Sequence, residues 1–411
     1  MLNLLKRIFH NSRRRLAYLW LKLFPKLIII GVTGSYGKTN TVQAIEAVLR
    51  TKFKTLVTDI NLDTIYNLPI TLLKIRPKTQ VLILEYGIDH KDEMDKHLAL
   101  VKPQIGIITG IAPVHSDKNL LGSLERIIKE KSKLIEALTK KGWAILNFDN
   151  QYVKKIAQKT TAPIVSYGNK PQFDYWTSNI KVDLGGTSCL LHYNEGGQKQ
   201  TVVIKTKLIG KHFTHELMVA LAVGKILGIS IEQGIKNITR LNPLPGRMSI
   251  EKGPLKTILL NDSLRANPES TIAGIETLAV IKHSGKKVAV LGEMGELGSY
   301  CQKEHYRVGT FFAKLNIDFL ITVGPATKWV IKGAKDKGFP DKKIFYAKNV
   351  QEAALFLRKT LRSNDLWYLK GSRLKHLERI LLILEGKRID CQLTSCHNYY
   401  NCQGCPKLRN T

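Results

Sequence analysis

The sequence predicts an α/β protein: a central P-loop parallel-sheet domain followed by a smaller, Rossmann-like α/β domain. Three observations carry this. Apolar runs alternate with helical patterns over residues 27–150, the signature of a doubly wound parallel sheet. A glycine-bearing turn, "GVTGSYGKT", joins the first of those runs to the first helix. Beyond "NPLPGR" (242–247), where two prolines and a glycine mark a linker, the alternation starts again. The expected divisions are a basic helix over 1–26, a central domain over 27–245, a second domain over 246–388 and a cysteine-rich tail over 389–411.

Residues 1–26 carry seven basic side chains (Lys6, Arg7, Arg13, Arg14, Arg15, Lys22, Lys26) and no acid. Leu4, Leu5, Ile8, Phe9, Leu16, Leu19, Trp20, Leu23 and Phe24 recur at roughly helical spacing. Lys22 interrupts the apolar stretch and no small-residue cleavage site follows, so a signal peptide is not expected here. Such a helix suits either an anionic membrane face or the protein's own body. No run of about 18 apolar residues is present, which argues against a membrane span.

In the central domain, "KLIIIGVTG" reads as a strand and Lys38–Arg50 as a helix. "TLVTDI" and "QVLILEYG" are further strands, "HKDEMDKHLALV" a helix and "PQIGIITGI" a strand. "GSLERIIKEKSKLIEALTKKG" is a long helix and "WAILNFDN" a strand. The texture then changes. "PIVSYG", "SNIKVDL", "SCLLHYN" and "QTVVIKTKL", separated by glycine turns, read as short strands in antiparallel hairpins. "HELMVALAVGKILGI" and "SIEQGIKNITRL" return to helix. After the linker come "TILLND" (strand), "NPESTIAGIETLAVI" (helix), "KKVAVLG" and "FLITVG" (strands), "AALFLRKTL" (helix), "DLWYLKG" (strand) and the helix "RLKHLERILLILEG".

The chemistry starts at the opening turn. Backbone N–H groups of a glycine turn and a helix N-terminus face anions, so Gly34, Ser35, Gly37, Lys38, Thr39 and Asn40 form a candidate polyphosphate cradle. Lys38 would sit on the outer phosphates and the Thr39 hydroxyl on Mg²⁺. The spacing departs from the common P-loop, with Val32 where the first glycine often stands and Gly34 nearer. Glu85 ends the strand "VLILE" and His115 follows "IGIITGI", so both fall at the carboxyl edge where open α/β sheets bind ligands. A carboxylate and an imidazole there suit one or two Mg²⁺ ions.

The excess of 64 Lys+Arg over 33 Asp+Glu, a net +31, favours an anionic partner. Nucleic acid is not indicated, because no recognition motif accompanies the charge. Four of the six cysteines, Cys391, Cys396, Cys402 and Cys405, crowd into the last 21 residues with spacing C-x4-C-x5-C-x2-C, and His397 lies among them. Four thiolates suit a structural Zn²⁺. An iron–sulfur cluster or an unliganded tail are the alternatives. Without an export signal, a disulfide framework is not expected.

The stretches "TGSYGKTNT", "LEYGIDHKDEM", "ITGIAPVHSD", "LERIIKEKSKLIEAL", "WAILNFDN", "LPGRM", "NDSLRANPEST", "VLGEMGELG", a following histidine and "LKGSR" come in that order. Together they resemble the Mur ligase family, and within it the branch that adds D-alanyl-D-alanine, over about residues 28–380. The resemblance implies an ATP-dependent amide ligase of peptidoglycan synthesis, and hence of cell-wall biogenesis, cell shape and division. ATP would phosphorylate a muramyl-peptide carboxylate, and an amine such as D-Ala-D-Ala would attack the acyl phosphate. It implies that Lys38 and Thr39 bind phosphates and Mg²⁺, that Glu85 and His115 are metal ligands, and that Lys131 is carbamylated to bridge a second Mg²⁺. Lys129 and Lys133 lie close enough to leave that register open. Arg247 would reach the ATP phosphates. Asp262 and Asn267 would contact the nucleotide. His305, Lys370, Ser372 and Arg373 would face substrate from the second domain, and closure of the two domains would complete the site.

Departures from the family pattern set further expectations. Only 27 residues precede the first strand, where the family has a UDP-binding domain of roughly 80–100 residues with its own core. A UDP-linked or a lipid-linked substrate is therefore open, and the basic helix suits a cytoplasmic protein working at the inner membrane face. In "GKHFTHE", Phe213 and Glu216 stand where the family has asparagines. Leu264 and Arg265 replace Tyr-Asn, and Glu293 replaces Asp. Two alternatives follow: an amidating subunit that modifies lipid II, and a non-catalytic nucleotide-binding scaffold.

Overall fold

The computed structural model describes residues 2–59, 64–396 and 402–408, so His397 lies outside the described residues. It divides into two units, residues 1–180, 188–206 and 212–241 in one and residues 181–187, 207–211 and 242–411 in the other.

The first unit opens with helix α1 (Leu2–Lys22). Ala17 is buried, the Trp20 indole N–H donates to the Ile75 carbonyl (3.3 Å), and Arg14 donates to the Lys96 carbonyl (2.6 Å). One side of α1 thus packs on the body, while Phe9, Leu16, Tyr18, Leu19 and Leu23 stay exposed. Strand β1 (Ile28–Thr33) runs into α2 (Lys38–Leu49), followed by β2 (Thr55–Val57), α3 (Thr64–Leu73), β3 (Val81–Glu85), α4 (Glu93–Leu100), β4 (Ile105–Ile108), α5 (Leu124–Glu136), β5 (Trp143–Asn147), α6 (Gln151–Ile156) and β6 (Ile164–Gly168). The meander β7 (Tyr175–Asp183), β8 (Gly186–Glu195) and β9 (Gln198–Thr206) precedes α7 (Phe213–Ile226) and α8 (Ile231–Ile238).

The sheet order is β2-β3-β1-β4-β5-β6-β7-β8-β9. Strand β1 lies between β3 and β4, parallel to both, with Val32 opposite Glu85 and Thr33 opposite Ile108. The order of the strands reverses there, and such a switch point opens a crevice at the carboxyl ends. Strands β1, β3 and β4 are buried apolar runs, as a sheet covered on both faces requires. The pairing stays parallel as far as β7. The two-residue connections after β7 and β8 make the remaining neighbours antiparallel.

The second unit carries β10 (Ser249–Lys252), β11 (Ile258–Asn261), α9 (Pro268–Val280), β12 (Lys287–Gly292), α10 (Cys301–Phe312), β13 (Phe319–Val323), α11 (Lys328–Lys335), β14 (Ile344–Ala347), α12 (Val350–Thr360), β15 (Leu366–Lys370) and α13 (Arg379–Leu384). Its sheet order is β10-β11-β15-β12-β13-β14, parallel except for the β10–β11 edge.

Several elements escape the sequence reading. Helix α3 contains Pro69, which disguises a helical stretch. Helices α10 and α11 and edge strands β10 and β14 are short or mixed in polarity. The helix expected over 373–386 is broken. Residues 373–375 form a 3-10 turn, His376 adopts left-handed backbone (φ 48), and α13 begins only at Arg379. Among the described residues, no helix is long and apolar enough to cross a membrane.

Candidate functional site

The cradle between β1 and α2 depends on two left-handed glycines. Gly34 (φ 154) lies so close to the Thr109 hydroxyl that a Cβ would collide with it, and Gly37 (φ 77) caps α2 without any side chain of its own. Only glycine combines that backbone with that proximity. Ser35 is pinned on both sides: its N–H donates to the Gly110 carbonyl (2.7 Å), and its hydroxyl pairs with Ala112 (3.0 Å). Lys38 is nearly buried, and its ammonium donates to the Gly34 carbonyl (2.8 Å), which curls it over the turn. The Thr39 hydroxyl donates to Glu85 Oε2 (2.9 Å). Asn40 is half-buried in the first turn of α2.

The second layer comes from the loops after β3 and β4. His115 takes a left-handed backbone (φ 66), and its carbonyl accepts from Leu121 N–H. Asp89 lies within electrostatic reach of it. Burial alone would raise the Asp89 carboxyl, but hydrogen bonds with Glu93 and His90 and the charges of His115 and His90 pull it below its ordinary value. Glu93 moves the other way. Burial raises it and the Asp89 charge adds to that, against N–H donors from Asp89 and His90 (2.9 and 3.0 Å). Asp89, His90 and Glu93 form a compact group of metal-type ligands.

The three α5 lysines differ in depth. Lys131 is 1% exposed, Lys129 faces solvent, and Lys133 reaches outward to Asp95 and Glu130 (2.6 Å each). Burial, then the neighbouring Lys38 charge, lowers Lys131 to about 7, and the carboxylates of Asp89, Glu85 and Glu93 only partly oppose this. Such an amine is substantially neutral at physiological pH.

One residue noted only as a departure lies against the cradle. Glu216, in the first turn of α7, is 6% exposed. A Cβ on Gly37 would lie 3.3 Å from its Oε1, so the carboxyl abuts the cradle. Burial raises it to about 8, and its Oε2 is buried without a hydrogen-bond partner. Near neutrality it is an acid with one O–H donor and one carbonyl acceptor, the same polar outline as an amide. Asp89 and Glu93 also escape the sequence reading, although both lie in "LEYGIDHKDEM", just past the strand end.

In the second unit, Asp262 Oδ2 accepts from Lys370 (2.5 Å) and from the Tyr368 hydroxyl (2.9 Å). Lys370 is fully buried, and burial, together with the Arg247 charge, outweighs Asp262 and lowers its ammonium. Arg247 sits in the linker turn, where the Gly246 carbonyl accepts from Leu264 N–H (3.1 Å). Asn267 is the N-cap of α9 in a reciprocal capping box with Ser270, so its side-chain oxygen is engaged within the protein.

His305 is placed differently from the expectation of a substrate contact. It is fully buried, Nε2 accepts from Met294 N–H (3.0 Å) and Nδ1 donates to the Cys301 carbonyl (2.8 Å), so both ring nitrogens serve the fold. Ser372 is nearly buried and its N–H donates to the Glu293 carbonyl (2.9 Å). Glu293 bridges Lys375 (2.7 Å) and Ala326 N–H (2.8 Å). Arg373 is half-buried in the following turn.

At the tail, Cys391, Cys396, Cys402 and Cys405 do not gather as one compact group among the described residues; Cys402 instead groups with His376 and Glu378.

The profile of the Mur ligase middle domain matches residues 32–224, and that of the Mur ligase glutamate ligase domain matches residues 246–373. The chain is 30% identical over 353 residues to the UDP-N-acetylmuramoyl-tripeptide–D-alanyl-D-alanine ligase of Bacillus subtilis (strain 168), covering 86% of this chain and 75% of that one. It is 28% identical over 365 residues to the enzyme of the same name from Mycobacterium bovis, covering 84% and 70%. A crystal structure of MurF from Acinetobacter baumannii superposes with a TM-score of 0.82 at 26% identity, over 92% of this chain and 81% of that one.

Proposed function

Because the chain belongs to the Mur ligase family, we propose that it is an ATP-dependent, ADP-forming amide ligase of peptidoglycan precursor synthesis, joining D-alanyl-D-alanine to a muramyl tripeptide. The observation that carries the reading is the pairing of Thr39 with Glu85 at 2.9 Å beside the curled Lys38, with Lys131 buried within reach of both charges.

The substrate carboxylate attacks the terminal phosphorus of ATP, ADP departs, and the amine displaces phosphate from the acyl phosphate through a tetrahedral intermediate. The chain's own groups hold and neutralise. N–H groups at the start of α2 and Lys38 take the phosphates. A hydroxyl at Thr39, a carboxylate at Glu85 and an imidazole at His115 make a donor set that fits Mg²⁺, which when bound would supply charge neutralisation. Lys131 as a free amine would attack CO₂, forming an N–C bond as one C=O π bond opens onto oxygen and losing a proton to solvent, which turns a neutral buried amine into an anionic ligand. Protonated Glu216 keeps a negative charge away from the triphosphate. Arg247, Asp262 and Lys370 form a second charged cluster, to which we assign nucleotide contact together with Asn267. Ser372 and Arg373 are assigned to the substrate. We assign the functional domains to 27–245 and 246–388.

The exposed apolar side of α1, with Arg15 and Lys22 also exposed, supports peripheral contact with an anionic membrane surface and so a lipid-linked form of the peptide. We also assign a structural Zn²⁺ to the cysteine-rich tail.

Phosphate release tests the reading, using UDP- and lipid-linked muramyl tripeptides with D-Ala-D-Ala, single amino acids or ammonia. Release is expected only with both acid and D-Ala-D-Ala present. Ammonia as the sole productive amine would move the assignment to an amidating subunit, and no release with any pair would leave a scaffold.

A further inference from the structure

We propose that the zinc of the tail is held by His376, Glu378 and Cys402 together with Cys405, and that it fastens the tail to the break between β15 and α13. This deepens the tail-zinc reading and is independent of the ligase assignment.

The donor atoms of His376, Glu378 and Cys402 all lie within 4.8 Å of one another. Tetrahedral zinc, with bonds of roughly 2.0–2.3 Å, brings its ligands to comparable spacing. These are three different zinc-type donors, and two of them, His376 at 2% and Cys402 at 8% exposure, are buried. His376 Nδ1 lies 2.7 Å from Glu378 Oε1, while Nε2 is buried with no hydrogen-bond partner. A buried imidazole with an unused nitrogen is costly unless something coordinates it.

We assign the fourth position to Cys405, which lies outside the compact three-donor group but three residues from Cys402 in the chain. Cys405 N–H donates to the Cys402 carbonyl (3.0 Å), closing a C-x2-C turn, and both cysteines pack in one small cluster with Leu382 and Leu408. Two cysteines at that spacing reach one ion. Cys391 is not among the three grouped donors; its sulfur lies 3.8 Å from Arg379 Nη1, and its carbonyl accepts from Arg379 and Gln351.

Charge also balances. Two thiolates, one carboxylate and a neutral imidazole around Zn²⁺ leave one negative charge. The buried Arg379 guanidinium, bonded to the carbonyls of Lys375, His376 and Leu393, stands beside the group to offset it. On binding, the two thiol protons leave to solvent. The site explains why the helix expected over 373–386 is interrupted: continuous helix would place His376 and Glu378 on different faces. The tail then has a fixed seat, with Cys396 N–H donating to the Leu374 carbonyl (2.8 Å) two residues past Ser372.

The test is metal analysis of the purified full chain after saturation with zinc and gel filtration. One zinc per chain is expected for the wild type and for Cys391→Ser. His376→Ala and Cys402→Ser should lose it. Glu378→Gln, which preserves shape, should weaken zinc at least tenfold in competition with a chromophoric chelator. Co²⁺ substitution should give tetrahedral d–d bands that Glu378→Gln shifts. Zinc retained by His376→Ala but lost from Cys391→Ser would overturn this ligand set while leaving a cysteine-only site. A wild type that holds no zinc would overturn both the ligand set and the tail-zinc reading, whatever phosphate release shows.

Discussion

The Thr39 hydroxyl donates to Glu85 Oε2 at 2.9 Å, joining the first turn of α2 to the end of β3. The pair brings a neutral oxygen and an anionic one to one point at the sheet edge. Glu85→Gln keeps the hydrogen bond and removes the charge. It is expected to lower kcat for phosphate release by roughly 100-fold or more and to shift the Mg²⁺ requirement upward. Thr39→Ser should be near wild type. A Glu85→Gln enzyme with unchanged Mg²⁺ dependence would count against the shared metal role.

Lys131 offers a spectroscopic test. With its amine lowered to about 7 by burial and by Lys38, the chain should take up ¹³C-bicarbonate as a carbamate visible by ¹³C NMR. The signal should fade as pH drops below 7, where the amine is protonated, and be absent in Lys131→Arg. That variant should also lose roughly 100-fold in kcat. A carbamate signal that persists in Lys131→Arg would place the modification elsewhere.

Glu216 and Lys131 together shape the pH dependence of folding. The carboxyl is at about 8 in the folded chain against an ordinary 4.5. From pH 4.5 to 8 the unfolded chain therefore releases a proton that the folded chain keeps, and stability falls by on the order of a few kcal/mol. Lys131 acts in the opposite sense. Between about 7 and 10.5 the unfolded state binds the extra proton, and stability rises with pH. In denaturant titrations of the nucleotide-free protein, Glu216→Gln should abolish the first decline and retain ATP binding. Glu216→Ala should weaken ATP, because the polar outline is lost.

Asn267 separates structure from catalysis. Its oxygen caps α9, so Asn267→Ala should cost about 1 kcal/mol of stability, and Asn267→Asp or →Ser should restore most of it. If KM for ATP rises in all three variants while the melting temperature does not follow, the side chain contacts nucleotide directly.

The exposed side of α1 is open to a vesicle test. Sedimentation with anionic vesicles should exceed that with zwitterionic ones and fall on the order of tenfold in Arg15→Glu/Lys22→Glu. Leu16→Asp should weaken both. Arg14, which is half-buried and holds the Lys96 carbonyl, is the wrong residue to change. Equal sedimentation of wild type and variants would remove the membrane role.

The legibility of the molecule tracked how local its signals are. The cradle turn, Glu85 at a strand end and the parallel alternation could be read because a strand, a glycine turn and a helix lie within one short stretch and dictate their own geometry. The depth of Lys131 could not be, since three lysines at alternate positions differ only in which side of α5 the sheet covers. Glu216 stood out as a replaced asparagine, yet its protonation depends on burial against Gly37, far away in sequence. At the tail the cysteine spacing suggested a metal, while the nearness of His376 and Glu378 to Cys402 was concealed inside an apparently helical run. His305 carried the motif's position but is turned inward.

That inward histidine has a consequence for the loop it serves. With Nε2 accepting from Met294 N–H and Nδ1 donating to Cys301, the ring can fulfil both duties in a single tautomer. Burial already pushes its pKa down. A second proton would set two donors face to face, expelling Met294 from its seat. Acidification below the ordinary imidazole range should therefore spring the 293–297 segment early, making one imidazole the acid-labile rivet of the smaller unit.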